Sequence, residues 1–294
     1  MEDLRTRLRA DPNLRSICGF TIVPSAATFS RRMAALAENP LLTKTLADMV
    51  STYHEGRIVG HISRDSTAIS VRERPCNKKA DVRISRPATY RRGRPRKDEI
   101  RPEKTPSVLS GQAAISALDA IEALNTACSW GCKKNSQGNV SFWKGYKLHL
   151  DVTDTGIPVT AIVSGANVHD SQVAIPLEKI SEQRVTFLYS VMDSAYDAAP
   201  VYDFIRGRNR VPLIDRNKRR HDFRIPFDPA MTRRYGVRST VERANAHLKD
   251  WLIPAQIFVR GIKKVTFHLL CGVVCLAALK ILQYFIAPSL AKSA

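Results

Sequence analysis

The sequence predicts an α/β fold in which helices flank a mixed β-sheet and a helical segment precedes that sheet. Residues 143–152 alternate apolar and polar side chains, and after a "DTG" turn residues 157–168 are expected to form the returning strand of a β-hairpin. Residues 184–196 and 211–215 contain continuous apolar runs, which are typical of strands buried on both faces. Helical patterns separate these strands, and that order favours helices packed on the faces of one sheet.

The remaining elements follow from local patterns along the chain. Residues 1–55 place apolar side chains at helical spacing, and residues 55–70 predict a strand that runs into Asp65. Further helices are expected over residues 111–127, 169–180, 197–209, 235–251 and 265–288. The last of these segments is apolar and long enough to suggest a membrane span. Because His268, Lys280 and Gln283 interrupt it, we expect a buried final helix and no membrane partner.

The charge of the chain points to a polyanionic partner. The net charge is +19 and the isoelectric point is about 10.0, which favours a nucleic-acid partner. Residues 71–104 and 203–249 each hold 13 Lys or Arg against 5 Asp or Glu. We expect both regions to contact DNA, with two solvated basic surfaces as the alternative.

The first basic region is also irregular in pattern. Residues 71–110 combine Pro, Gly and dense charge without an apolar period, which predicts a flexible insertion. Its run "RRGRPRK" at 91–97 resembles an AT-hook, a minor-groove ligand, although short basic runs of this kind are common. The six cysteines form no Cys-x-x-Cys pair, which argues against zinc and favours free thiols in a reducing cytoplasm.

Three carboxylates lie at positions that suit catalysis. Asp65 and Asp193 each follow a strand pattern, and Glu242 lies on the helix after the last strand. Carboxylates from separate elements, without a matching His or Cys set, indicate a hard cation such as Mg²⁺ or Mn²⁺. Two such ions can activate an attacking oxygen and stabilise a leaving oxygen in phosphodiester chemistry. The alternative for each aspartate is a turn or a helix cap.

The segment "YGVRSTVERANAHLKDW", residues 235–251, carries a polar stripe along one predicted helix. Tyr235, Arg238, Glu242 and Lys249 fall within roughly 60° of one another at about 100° per residue. The opposite face is expected to be apolar and consists of Val241, Ala244, Leu248 and Trp251. Guanidinium, ammonium and phenol groups all bind phosphate, so the stripe predicts a DNA track beside Glu242.

Glu242 has a structural alternative. The run "STVE" at 239–242 matches a capping box, in which Ser239 caps the helix and Glu242 bonds back to it. Capping alone explains Glu242 but leaves its cationic and phenolic neighbours without a role. His169 and Asp170 are expected to begin a helix, and Trp130, Trp143 and Trp251 to serve packing rather than base stacking.

The same residues resemble a known family, the bacterial insertion-sequence transposases of the DDE class. The spacing of Tyr235, Arg238, Glu242 and Lys249 matches, without a gap, the Tyr-Arg-Glu-Lys signature of that family. The stretches "RDSTAI" and "MDSAYD" are similar to its two aspartate motifs, and "GYKLHLDVTDTGIPVTAIVSGANVHDS" is similar to its central strands. The resemblance extends over roughly residues 15–285, and it implies a bacterial cytoplasmic protein associated with the nucleoid.

The resemblance implies a ribonuclease H-like fold and metal-dependent chemistry. The catalytic and metal-binding triad of the family falls on Asp65, Asp193 and Glu242, with Mg²⁺ or Mn²⁺ as the cofactor. Such an enzyme nicks DNA at transposon ends and joins the freed 3′-hydroxyl to a target. Tyr235, Arg238 and Lys249 would hold double-stranded DNA near the site, and the protein would act as a homo-oligomer on DNA.

The expected organisation is a helical N-terminal segment over 1–55 and a catalytic domain over 56–288, with the basic insertion at 71–110. Family members usually have a longer N-terminal part for end recognition and multimerisation, so a truncated or decayed reading frame is an open alternative. It would leave a DNA-binding remnant without catalysis. A third alternative is a metal nuclease of the same fold that hydrolyses DNA without joining strands.

Overall fold

A six-stranded mixed sheet forms the centre of the protein. The computed structural model describes residues 2–75, 107–134, 137–218 and 226–291. The strands are β1 (Ile58–Ser70), β2 (Ser129–Lys134), β3 (Val140–Thr153), β4 (Pro158–Gly165), β5 (Thr186–Met192) and β6 (Val211–Ile214). Their order is β2-β3-β1-β5-β6, and β4 also pairs with β3. Strand β3 is antiparallel to both β1 and β4, whereas β5 runs parallel to β1 and β6 parallel to β5.

Helices precede the sheet and cover both of its faces. The first four are α1 (Glu2–Ala10), α2 (Pro12–Ile17), α3 (Ala26–Leu36) and α4 (Leu41–His54). Those between the strands are α5 (Val108–Ala114), α6 (Ala117–Glu122), α7 (Ser171–Ser181) and α8 (Ala199–Arg206). The last three are α9 (Pro229–Tyr235), α10 (Ser239–His247) and α11 (Ile262–Ala291). The predicted helical N-terminal segment therefore consists of four separate helices.

The alternation along β3 explains why the sheet has two different faces. Tyr146, Leu148 and Leu150 point into the main apolar core, which α4, α10 and α11 complete. His149 and Asp151 point to the opposite face, yet both are fully buried there, because α7 and α8 cover that face. The alternation correctly predicts a strand with two different faces. The polar face of β3, however, is buried under the helices rather than exposed to solvent.

The final helix lies in the main core, as the sequence predicts. Val265, Leu269, Val273 and Leu276 are fully buried against the sheet and α4. Its segment Ile262–Tyr284 is long and apolar enough to cross a membrane by length and composition, and half of its most apolar stretch is buried inside the protein. A buried core helix passes the same test, so this feature alone carries no conclusion about a membrane.

Several predicted boundaries differ from the structure. The Ala-rich segment 111–127 contains the two short helices α5 and α6, because the chain leaves the helical conformation at Ile115. Strand β2, which follows them, has no matching prediction. The predicted insertion over 71–110 lies mostly outside the described residues, as does the AT-hook-like run at 91–97, and its last residues begin α5.

Candidate active site

The parallel pairing of β1 and β5 places two of the predicted carboxylates side by side. Ser63 pairs with Val191, so the same register, two residues further, brings Asp65 beside Asp193. Asp193 directly follows β5, as predicted, and its carboxylate accepts a hydrogen bond of 2.9 Å from the amide of Ala195. Asp65 lies inside β1 rather than after its end, because antiparallel pairing with β3 continues the strand to Ser70.

The segment 235–251 is helical throughout, but it is not one regular α-helix. A 3-10 turn, Gly236–Arg238, separates α9 from α10, and a π turn, Leu248–Leu252, follows α10. These turns change the rotation per residue, so the side chains near the C-terminal end of the segment do not point in the directions that a regular α-helix predicts. The buried face contains Val241, Ala244 and Leu248 as expected, whereas Trp251 is 79% exposed instead of packed.

The capping-box interpretation of Glu242 is wrong. Ser239 has helical backbone angles, with φ of −57° and ψ of −18°, so it is not in the extended conformation of an N-cap. No side chain caps the first turn of α10. Glu242 instead accepts a hydrogen bond of 2.5 Å from Arg238 Nη1.

Arg238 stands at the centre of the three carboxylates. Its Nη2 lies 3.8 Å from Asp65 Oδ1 and 3.7 Å from Asp193 Oδ2, while its Nη1 contacts Glu242. The two aspartates come from neighbouring strands, and the other two residues come from the helical segment that crosses them. Three elements therefore bring all three predicted acids around a single cationic group.

Burial weakens the acidity of both aspartates and is the largest cause for each. Burial, together with the charge of Asp193, raises the pKa of Asp65 to about 6, although Arg238 opposes that shift. Burial likewise raises the pKa of Asp193. Burial would lower the pKa of Arg238, but the surrounding acids, Asp65 first, outweigh it and raise that pKa. The cluster thus carries an excess of negative charge that one arginine does not neutralise.

The other two residues of the predicted stripe lie at the edges of this cluster. Burial lowers the pKa of Lys249, and the positive charge of Lys133 adds to that effect, while Asp65 opposes it. Tyr235 is half-buried, with its ring 5.1 Å from that of Phe227, and its phenol acts electrostatically on Arg238. Both residues therefore border the carboxylates, one on each side of Arg238 along the chain.

Two residues near the cluster have no counterpart in the sequence-based prediction. Asn245 Nδ2 donates to Asp65 Oδ2 over 3.3 Å. It lies seven residues after Arg238, so the helical wheel that selected the stripe contains the signal for Asn245 as well. Lys133, on β2, acts on Asp65, Asp193 and Lys249. No local pattern links β2 to a helix more than a hundred residues later.

The residues before α7 lie near the candidate site, since the charge of Asp170 acts on Asp193. Asp170 occupies the N-cap position of α7, as the sequence predicts for a helix start, but its side chain makes no capping bond. Its carboxylate instead accepts a hydrogen bond of 2.9 Å from Lys147 Nζ. His169 Nδ1 lies 2.8 Å from the hydroxyl of Ser171. Both residues therefore serve the start of this helix and the strand beneath it.

The donor set has the chemistry of a divalent-cation site. Three carboxylates already surround one cation, the guanidinium of Arg238, and Asn245 Oδ1 is buried without a hydrogen-bond partner among the described residues. Oxygen donors of this kind are those that Mg²⁺ and Mn²⁺ prefer. As they stand, no three His, Cys, Asp or Glu side chains in the described part of the chain are arranged to hold a metal ion. A cation and the guanidinium would therefore compete for the same oxygens.

Fold and site together define a class of protein. Antiparallel strands β4, β3 and β1, continued by parallel strands β5 and β6, form a ribonuclease H-like sheet flanked by helices. Its acidic cluster lies on the two central strands and the helix that crosses them. A nucleic-acid-processing enzyme of the DDE class has this arrangement.

Comparison with known proteins identifies the family. The model of the transposase DDE domain matches residues 61–274, well over half of the chain, and the chain belongs to that family. A crystal structure of the catalytic core domain of BIV integrase matches with a TM-score of 0.28 and 18% sequence identity, over 52% of this chain and 80% of that chain. No curated protein matches the chain.

Proposed function

We propose that the protein is a DNA transposase that cuts the ends of a mobile element and joins the freed 3′-hydroxyl to target DNA by metal-dependent phosphoryl transfer. The observation that carries this proposal is the convergence of Asp65, Asp193 and Glu242 around Arg238, within a chain of the transposase DDE domain family. We assign the chain to the subgroup with the Tyr-Arg-Glu-Lys signature. The spacing from Tyr235 to Lys249 supports that assignment.

In this proposal the three carboxylates are the catalytic and metal-binding groups. Asp65, Asp193 and Glu242 would hold Mg²⁺ or Mn²⁺, which supplies activation of the attacking oxygen and stabilisation of the leaving oxygen. Asn245 would orient Asp65, because its amide contacts the carboxylate oxygen that Arg238 does not approach. The raised pKa of Asp65 fits a carboxylate whose full charge requires a nearby cation.

Tyr235, Arg238 and Lys249 would bind the DNA strand that is cut. A cation on the carboxylates would free the guanidinium of Arg238, whose fork suits phosphate oxygens. Lys249 borders the same carboxylates and offers a point charge for the next phosphate. The double-stranded partners in this proposal are the transposon ends and the target, bound by a homo-oligomer. The corresponding domain organisation is a helical segment over 1–55 and a catalytic domain over 56–288.

The test is DNA cleavage by purified protein with Glu242→Gln. The substrate is a plasmid carrying the genomic DNA that flanks the gene, incubated with Mg²⁺ or Mn²⁺. Outer-shell partners of a metal typically contribute about 10–100-fold, so loss of a ligand should lower the cleavage rate at least about a hundredfold. Glu122→Gln, which changes an exposed acid on α6, is the matched control and should cleave normally.

Three outcomes separate the candidate functions. Cleavage with strand-transfer products that disappears in Glu242→Gln supports the transposase. Cleavage without joined products indicates a nuclease of the same fold. DNA binding without cleavage in the wild-type protein indicates a binding remnant, and full cleavage by Glu242→Gln contradicts the proposed site.

A further inference from the structure

A cavity lies on the far flank of α10 from the acidic cluster. Asn245 contacts Asp65 from one flank of that helix. Arg243 and His247 lie two residues before and two residues after Asn245, and two residues advance an α-helix by about 200°. Both side chains therefore point away from the carboxylates, and they line a cavity of about 390 Å³. Helix α10 thus separates the candidate active site from this second site, which we call the basic cavity.

Two other elements complete the basic cavity. The turn between β3 and β4 supplies Asp154, Thr155 and Gly156, and α11 supplies Lys280 and Tyr284. The Tyr284 hydroxyl donates to the carbonyl of Thr155 over 3.1 Å, which joins the end of α11 to the turn. Gly156 has a φ of +87°, and a Cβ added there would lie 3.8 Å from Lys280 Cε. Two helices and the turn therefore enclose the cavity from three sides.

The charges that line the basic cavity are not balanced. Arg243 and Lys280 are permanent cations, whereas Asp154 is the acid in the described part of the lining. The Asp154 carboxylate already accepts a hydrogen bond of 3.1 Å from the backbone of β1 and lies 3.9 Å from His61 Nδ1. Neither Arg243 nor Lys280 forms an ion pair with a described residue. Two cations without a charged partner in one concave site favour an anion.

The lining of the basic cavity fits a phosphate group. Of the nine described residues that line it, only Ala244 and Gly156 lack a polar side chain. An organic ligand usually binds among apolar and aromatic walls, so a small hydrophilic anion suits this lining better. Arginine binds phosphate oxygens with a planar fork and lysine binds them as a point charge, and the cavity offers one of each.

The position of the basic cavity relates it to DNA at the carboxylates. Between its two flanks, α10 presents a ridge with the small side chains Ser239 and Ala246, about 100–120° around the helix from Asn245. Ala246 is exposed and Ser239 is half-buried. A helix is about 10–12 Å wide, close to the roughly 12 Å width of the major groove of B-DNA. One duplex can therefore place one phosphate at each flank of α10.

We propose that the basic cavity binds a backbone phosphate of the DNA duplex whose cut strand lies at the carboxylates. Arg243 and Lys280 bind the phosphate oxygens, and the duplex crosses the ridge of α10 between the two contacts. This role rests on the proposed function, because it takes DNA at the acidic cluster as given. A contact on each flank of α10 fixes the direction of the duplex across the site, which a contact at one flank alone does not.

Chemical protection of Lys280 in the wild-type protein tests this contact directly. The rate of lysine acetylation by an N-hydroxysuccinimide ester is measured by mass spectrometry, with and without a blunt duplex, in EDTA. When free DNA is about ten times its Kd, acetylation of Lys280 should slow roughly tenfold. Lys264 is the matched control, because it is exposed on the same helix and lies roughly 24 Å away at 1.5 Å per residue. Its rate should stay unchanged.

Variants measure the same contact through its salt dependence. Arg243→Ala with Lys280→Ala should lower the slope of log K against log salt by about one, the effect of one lost phosphate contact. Fluorescence anisotropy with a labelled duplex in EDTA measures the slope. Arg243→Lys with Lys280→Arg keeps both charges and should keep the slope. Lys44→Ala with Lys264→Ala removes two exposed cations outside the cavity and should also keep it. Circular dichroism checks that every variant folds.

A free nucleotide offers the same phosphate chemistry, and calorimetric titration with AMP separates the two sources. Binding of AMP that the double alanine variant loses, with an unchanged salt slope for DNA, would make the cavity a nucleotide site and overturn the proposal. Equal protection of Lys280 and Lys264, or equal slopes for the double alanine variant and its matched control, would also overturn it.

These results are distinct from a failure of the proposed function. Neither acetylation nor anisotropy involves catalysis, so loss of the Glu242→Gln cleavage effect would leave the phosphate contact standing. Absence of duplex binding by the wild-type protein would contradict the contact and the proposed function together.

Discussion

Two arginines on opposite faces of β1 stand among carboxylates, and they differ in how completely they are bound. Arg64 donates two hydrogen bonds of 2.6 Å to Asp151 and one of 3.0 Å to Glu178, and all three side chains are at most 1% exposed. Arg238 approaches two of its three acids only to 3.7 and 3.8 Å. The four side chains of that cluster are between 20% and 52% exposed.

The remaining polar atoms show the same contrast. Around Arg64, hydroxyl groups of Ser181 and Ser190 donate to Asp151 and Glu178, and Arg210 adds a second cation. In the cluster of Arg238, its Nε and Asn245 Oδ1 are buried without a hydrogen-bond partner in the described residues. A closed network of charges fixes a structure, whereas an open one can exchange its partners. The comparison therefore separates a closed, fully buried ion cluster from an open, partly exposed one.

The largest expected effect is on stability at the closed cluster. Arg64→Met leaves two buried carboxylates without their cation, which should lower the free energy of unfolding by about 3–5 kcal/mol. Arg238→Met, at the open cluster, should change it by less than about 1 kcal/mol, since its ion pairs are partly exposed. Urea unfolding of both variants measures the difference. Equal losses of unfolding free energy in the two variants would show that the two clusters stabilise the fold to the same extent.

A second prediction concerns pH. The folded-state pKa of Asp65, about 6, lies above its ordinary value of 3.8, so the folded protein binds this proton more tightly than the unfolded chain. The contribution of Asp65 to the stability of the fold is favourable below about pH 4, and it is lost as the pH rises through about 6. When the pH falls from 7 to 4, the free energy of unfolding of the wild-type protein should rise by about 1–2 kcal/mol relative to that of Asp65→Asn.

Urea unfolding in EDTA at several pH values measures this gain. Asp48→Asn, on α4 and away from the cluster, serves as the control and should follow the wild-type protein across the range. A constant difference between the wild-type protein and Asp65→Asn would contradict the raised pKa.

The smallest expected effect sharpens the role of Arg238 itself. If the guanidinium competes with a divalent cation for the carboxylates, Arg238→Gln should raise the affinity for Mn²⁺. A partly exposed ion pair contributes up to about 1 kcal/mol, which corresponds to roughly a fivefold change. Isothermal titration calorimetry without DNA measures it. Arg243→Gln, on the adjoining helix α10, should have no effect, and weaker Mn²⁺ binding by Arg238→Gln would exclude competition.

Local pattern predicted much of this fold because strands and helices differ in period. The alternation along β3 and the continuous apolar run of β5 predict both strands within a few residues of their observed bounds. The same reasoning missed β2, whose short mixed sequence becomes a strand only by pairing with β3. The same reasoning also predicted one regular helix over residues 235–251, because a 3-10 or π turn has no distinct pattern of apolar residues.

The sequence by itself determined the chemistry of the candidate site. The residue types of Asp65, Asp193 and Glu242, and the spacing from Tyr235 to Lys249, are local facts that no folding step changes. Only the tertiary structure decided that the acids surround Arg238, and that α10 separates them from the basic cavity. Periodicity reports which face of one element is apolar. Contacts between elements far apart in the chain depend on how those faces pack, and local spacing does not encode that.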